Sequence, residues 1–159
     1  MTTDGERGRE LYRFLTGGAP EADALFAVLP WATPVKRRPR AGNGVVYSDP
    51  EQEAAEQRTA FELRRWLPGG RQLAGNVAVG CIFFRPTRRR VDVDNLVKHV
   101  LDAANGVTFA DDSQVTRLYA DVELDRANPR TVVVMGRHAS TLTREATVPR
   151  RPRRASLRT

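Results

Sequence analysis

Asp92 and Asp94 flank a single valine, and Lys98 follows the second aspartate by one helical turn. Arg88, Arg89 and Arg90 run directly into this Asp-x-Asp-Asn, and an acidic doublet, Asp111-Asp112, follows it. Carboxylates held close together repel, and one of them stays protonated unless a cation relieves the repulsion. Hard oxygen donors with no histidine or thiol favour magnesium, with manganese as a substitute, over zinc. A metal held this way can polarise a phosphodiester and activate water, while an ammonium beside it stabilises developing charge. The pattern points to phosphodiester chemistry on nucleic acid.

A helix from about Asp94 to Ala104 must position these groups. Residues four apart share a helix face, so Asp94, Lys98 and Asp102 form one polar stripe. Leu96, Val100, Ala103 and Ala104 form the apolar stripe, and Asn105-Gly106 ends the helix. Asp92 lies in the loop that feeds the helix from a strand over Asn76–Phe84, which is rich in valine, isoleucine and phenylalanine. The short Val107-Thr108-Phe109 segment is expected to return Asp111 and Asp112 to the helix start. Several carboxylates then converge at one end of the domain. Each residue also has a bland reading: Asp94 as a helix cap, Asp111-Asp112 as a turn, Asp102 as a solvated side chain. Arginine runs, too, are commonly only solvated. The combination, rather than any one residue, favours a site.

The bulk numbers agree with a polyanionic partner. The chain of 159 residues carries a net charge of +7 and has a pI near 10.6. Such a balance steers nucleic acid in a salt-dependent way. Nearly all the positive charge is arginine, whose fork suits phosphate oxygens. Lys36, Arg38, Arg40 and Arg88 to Arg90 are the candidates for backbone contacts, which position DNA without reading its sequence. Cys81 is the single cysteine, which excludes an intrachain disulfide and a cysteine-based zinc site. It lies in an apolar run and reads as a small buried hydrophobe. Met1 to Arg9 lack the apolar core of a signal peptide, and no stretch reaches the ~20 apolar residues of a membrane span. The expected location is the cytoplasm.

The rest of the chain supplies a scaffold of about one domain. Residues 1–23 read as a polar extension, loosely attached, with at most a short helix around Arg9 to Leu15. Ala24 to Trp31 suits a first strand. Thr33 to Gly44 reads as a cation-bearing loop, and Val45-Val46-Tyr47 as a short extended piece. Asp49-Pro50-Glu51-Gln52 opens a helix, with Ala60, Leu63, Trp66 and Leu67 on its core face, and Pro68-Gly69-Gly70 stops it. Val115–Leu124 and Thr131–Met135 are expected to pair as a hairpin around Asp125–Arg130. Residues 137–159 form a basic tail, expected to be disordered. The expected fold is α+β: a single domain over residues 24–136, with a mixed sheet and two main helices.

Asp92-x-Asp94-Asn95-x-x-Lys98-x-x-x-Asp102, then Gly106 and Asp111-Asp112-x-Gln114-Val115, resembles the signature of the RusA-type Holliday junction resolvases. Lys36-x-Arg38-Pro39-Arg40, followed by Val46-Tyr47 and a helix, is similar to the amino-terminal part of many phage-type members. The resemblance covers about residues 24–136. It implies a magnesium-dependent homodimer, from a bacterium or its phage, that recognises four-way DNA junctions. Such an enzyme nicks two opposed strands symmetrically and leaves ligatable ends, in DNA recombination and repair. By motif position, Asp92, Asp94 and Asp112 would be the catalytic metal-binding carboxylates, Asp111 a further ligand and Lys98 the essential basic residue. Asn95 and Asp102 would play supporting roles, such as capping or orienting Lys98. The family fold is α+β with a mixed sheet. Two rival functions stand beside this one: a nuclease acting on flaps or forks, and a DNA-binding module that does not cleave. The intact acidic set argues against the second.

Overall fold

The run Val77–Arg85 is apolar on both of its faces, and every residue in it except Arg85 is buried. Such a strand belongs in the interior of a sheet covered on both sides. A computed structural model of the chain describes residues 3–36, 40–47, 49–140 and 142. The expectations for Arg38 and for most of the basic tail lie outside these residues. The described residues form helices α1 (Asp4–Thr16), α2 (Pro50–Arg65) and α3 (Val93–Ala104). Their strands are β1 (Leu25–Leu29), β2 (Arg40–Gly42), β3 (Val45–Tyr47), β4 (Val77–Arg85), β5 (Val115–Leu124) and β6 (Arg130–Arg137). The architecture is α+β with a four-stranded mixed sheet, in the order β1-β6-β4-β5.

One layer of core packs α2 and α3 on the sheet. Leu63 of α2 and Leu96, Val97 and Val100 of α3 meet Val79, Cys81 and Phe83 of β4. Cys81 is fully buried there, and burial pushes its thiol up to about 12. The helices start where chemistry allows. Asp49 caps α2 by accepting from the Glu51 N–H at 3.0 Å, and Pro50 fills the first helical position. The Thr33–Gly44 segment is not all loop. Arg40–Gly42 and Val45–Tyr47 pair around Asn43 and Gly44, both at positive φ, the geometry that an Asn-Gly hairpin turn requires.

Two expectations fail against this fold. First, the amino-terminal segment is not a loose extension. Thr3 and Glu6 form a reciprocal capping box, and Gly17 closes α1 in a left-handed conformation. Leu11, Tyr12 and Leu15 then bury against Ala78, Ile82, Phe84, Val132 and Val134, covering the second face of the sheet. The approach is close: a Cβ on Gly80 would come within 2.6 Å of Leu15, and one on Gly136 within 2.3 Å of Tyr12. Arg130 stacks on the Phe84 ring at 3.7 Å and pairs with Asp4 and Asp125, while Arg7 pairs with Glu123.

Second, β5 and β6 do not form a hairpin, because β4 lies between them. β6 is apolar on both faces and runs antiparallel to β1 and β4, so it takes an interior place. β5 carries Arg117, Asp121 and Glu123, which suit an edge, and it runs parallel to β4. β4, α3 and β5 thus make one βαβ crossover. Among the described residues, no helix is long and apolar enough to cross a membrane.

Candidate active site

The crossover decides where each acidic residue lies. α3 leaves the carboxyl end of β4 through the arginine loop, and it must return the chain to the other end before a parallel strand can begin. Asp92 occupies the N-cap position of α3, with its carbonyl accepting from the Asn95 N–H at 3.1 Å. Its carboxylate makes no capping hydrogen bond. Asp92, Asp94 and Lys98 are exposed, and among the described residues none of their side chains is engaged in an ion pair. Carboxylates at a helix N-terminus are favoured by the local dipole, so they stay available there at little cost. Asn95 is half-buried beside them.

Arg88, Arg89 and Arg90 are exposed in the loop just before Asp92. Arg89, Arg90 and Asp92 line a cleft of about 670 Å³, together with Pro34, Lys36 and His99. Cations and carboxylates therefore share one wall. Arg85 does not join them freely, since its guanidinium donates to the Thr33 carbonyl at 2.5 Å. Burial lowers its pKa.

Lys36 has a different setting from the one its sequence context suggests. Its ammonium donates to Asp102 on α3 and pairs with Glu56 on α2 at 3.4 Å. Burial opposes the charge, but the hydrogen bond to Asp102 and the nearby carboxylates outweigh it and raise the pKa of Lys36. Asp102 is thus engaged with Lys36 rather than with Lys98. Of Arg40 only the backbone is described.

His99 lies beneath this pair and escapes a reading based on charge runs. It is buried, with Nε2 at 3.0 Å from the Thr59 hydroxyl and Nδ1 without a partner among the described residues. Burial pushes its pKa down, helped by Lys36 and Arg58 and opposed by Glu56 and Asp102. The signal was its place next to Lys98 and one residue off the polar stripe, which turns it toward α2.

Asp111 and Asp112 are not returned to the start of α3. Phe109 bridges to Asn105 and Leu73, so the segment after α3 turns at the helix's far end. Gln114 then donates to the carbonyls of Leu73 at 3.1 Å and Gly75 at 3.0 Å, pinning the Asp112–Gln114 turn beside the entry to β4. Val115 pairs with Val77, the first residue of β4. Asp111 is half-buried and accepts from Ser113, whereas Asp112 is exposed. A helix of 12 residues is about 18 Å long. Asp92 and Asp94 therefore lie at one end of α3, and Asp111 and Asp112 beyond the other. The expected convergence within one chain fails because a parallel crossover must end where its first strand began.

A parallel crossover whose helix opens on free carboxylates, behind a basic loop, has the parts of a protein that works on nucleic-acid phosphates. The sequence matches the family model described as endodeoxyribonuclease RusA over residues 29–135, more than half of the chain. The chain belongs to the RusA endodeoxyribonuclease family, nucleases that act on Holliday junctions. A search of curated proteins finds no match to the chain. Nucleases of this family are generally dependent on a divalent metal. Among the described residues no three acidic, histidine or cysteine side chains gather in one chain to hold such an ion, and Asp92 and Asp94 are the exposed pair beside the basic loop.

Proposed function

We propose that the protein resolves four-way DNA junctions as a homodimer, by paired symmetric nicks, with magnesium as cofactor and manganese as a working substitute. In this reading the catalytic residues are Asp92, Asp94, Asp112 and Lys98, and the metal donors are the three aspartates with Asp111. The Asp111–Asp112 pair at each site comes from the second copy, because within one chain it lies beyond the far end of α3. The observation that carries it is the arrangement at the start of α3. Two exposed carboxylates, without ion-pair partners among the described residues, stand next to Arg88, Arg89 and Arg90 and one turn from an unpaired Lys98. A structural role would pair those groups with each other, whereas a phosphate-handling role leaves them open.

The side chains divide the work by charge. Arg88 to Arg90 contact phosphate oxygens and hold the strand, which fixes register without reading bases. Lys98 stabilises the negative charge that builds on the phosphate oxygens as the bond breaks. Asp92 and Asp94 accept hydrogen bonds from the attacking water and orient it. Asn95 supports the turn, and Asp102 acts at one remove by holding Lys36. The protein works in the cytoplasm of a bacterial cell, on its own DNA or a phage's.

A labelled four-way junction and a matched linear duplex, each incubated with and without magnesium, test this directly. Paired nicks confined to the junction are expected, with Asp112→Asn binding normally but not cutting. Preferred cutting of flaps or forks would reassign the substrate. Binding without cleavage at any divalent ion would leave only a DNA-binding module.

A further inference from the structure

We propose that the cleft beside Asp92 takes one unstacked nucleotide of the bound DNA and reads its base, favouring a base that carries an exocyclic amine. This rests on the nuclease reading for the identity of the ligand, while the site itself is argued from its walls. At about 670 Å³ the cleft falls within the range of about 300–1,000 Å³ that small-molecule sites occupy. That volume suits a single nucleotide and not a duplex. Asp92 lines the cleft and also holds the N-cap position of α3. A nucleotide seated there is therefore the immediate neighbour of the phosphate that this carboxylate serves.

Two elements bring opposite chemistry to the cleft. The end of β4 and the loop after it contribute Arg85, Arg89 and Arg90, and the first turn of α2 contributes Glu51 and Gln52. Among the described residues Glu51 pairs with none of these arginines, and the Gln52 amide makes no hydrogen bond. The cleft is held open by bonds directed elsewhere. Lys36 ties α2 to α3 through Glu56 and Asp102, and Arg85 is tethered to the Thr33 carbonyl at 2.5 Å. Arg85 is half-buried and has no carboxylate partner among the described residues. A cation drawn out of water without a counter-charge is costly, and a phosphate oxygen relieves it. The bond to Thr33 fixes the guanidinium and leaves its other N–H groups for that anion. His99, only 1% exposed, also lines the cleft, and its Nδ1 has no partner among the described residues. A buried polar atom of this kind calls for a partner, which a polar ligand or its water supplies.

A nucleotide matches this division. Its phosphate faces the Arg85 fork, and Arg89 and Arg90 hold the neighbouring phosphates. Pro34, Val35 and Ala55 offer apolar surface to the face of the base. The edge of the base then meets Glu51 and Gln52. A carboxylate accepts from the exocyclic amine of cytosine, and an amide reads the amine and ring nitrogen of adenine together. Thymine turns carbonyl oxygens toward the carboxylate and is disfavoured. The cleft thus sets a base preference beside the cut, which phosphate contacts alone cannot do. A branch point supplies the nucleotide at low cost, since stacking and pairing are already weakened there.

Two measurements on the full chain test the cleft. In the first, four-way junctions differ only at the nucleotides flanking the cut, with cytosine replaced in turn by uracil, which keeps its size and exchanges the amine for a carbonyl. Cleavage should fall about 10-fold at one of these positions. Glu51→Gln should narrow that gap, because an amide donates to the carbonyl that a carboxylate repels. Glu51 is exposed, so this variant keeps its fold, which circular dichroism checks. In the second, a fluorescent adenine analogue, quenched while stacked, replaces the same nucleotide. It should brighten when Asp112→Asn binds the junction without cutting it, and Arg85→Met added to that variant should reduce the brightening. Equal cleavage of cytosine and uracil at every flanking position, or a gap that Glu51→Gln leaves untouched, would overturn the base reading. Unchanged fluorescence on a junction shown by anisotropy to be bound would overturn the unstacking. A wild type that cuts no branched DNA would sink the nuclease reading, and the fluorescence measurement would then decide the cleft alone.

Discussion

The Lys36 ammonium sits between Asp102 on α3 and Glu56 on α2, so a side chain from the segment after β1 ties the two helices together. Its charge is spent inside the protein. Lys36→Met leaves two part-buried carboxylates without their cation and should cost about 1–3 kcal/mol in urea unfolding. DNA affinity should change little. Unchanged stability with weakened DNA binding would return Lys36 to the DNA surface.

The arginine loop makes the opposite prediction. Arg89→Ala and Arg90→Ala remove exposed cations that form no ion pair among the described residues, so stability should hold. Binding to junction and duplex should weaken alike. The slope of log affinity against log salt should flatten by about 0.9 for each phosphate that is no longer neutralised. Fluorescence anisotropy across a salt series reads this, and an unaltered slope would exclude these residues from the interface.

Lys98 is exposed and forms no ion pair among the described residues. Lys98→Ala should lower the single-turnover cleavage rate by about 100-fold or more with the fold intact. A defect confined to binding, with the rate at saturating DNA preserved, would place Lys98 outside the chemistry.

His99 ties stability to pH. Burial holds its pKa below the ordinary 6.5, so the unfolded chain takes up a proton first as the solution is acidified. Its contribution is fully present above pH 6.5 and is lost as pH falls through the lower folded value. Wild type should therefore lose more stability between about pH 7.5 and 5.5 than His99→Gln, which keeps a partner for Thr59. Parallel stability–pH curves for the two proteins would show that His99 does not titrate with unfolding.

The close seat of α1 predicts a steric cost. Gly80→Ala drives a methyl group against Leu15 and Leu11 and should destabilise by about 1–3 kcal/mol. Thermal unfolding measures it, and a neutral result would mean that α1 shifts freely over the sheet.

Much of this architecture is legible in the residues. The two-sided apolar run of β4, the Asp-Pro start of α2 and the apolar stripe of α3 each carry a local cause. α1 is harder to see, because Leu11, Tyr12 and Leu15 are few among polar neighbours and their partners arrive more than 60 residues later. Pairing of β5 with β6 looks natural from their adjacency, but local sequence does not reveal that β4 claims the place between them. The types of the candidate site residues are readable as well. Their separation is not, since proximity in sequence across α3 becomes distance along a rigid helix.

The placement of β6 has a consequence for how the chain comes into being. β6 is the last of the strands to be made, yet it joins β1 to β4 and also anchors α1 through Arg130 and Asp4. During synthesis, β1 and α1 must wait on the ribosome for a partner encoded about a hundred residues downstream. Only the crossover through α3 can assemble early. A nascent chain that stalls before Arg130 holds Asp92, Asp94 and the arginine loop on a half-built sheet, with the apolar faces of α1 and β1 uncovered and open to chaperones.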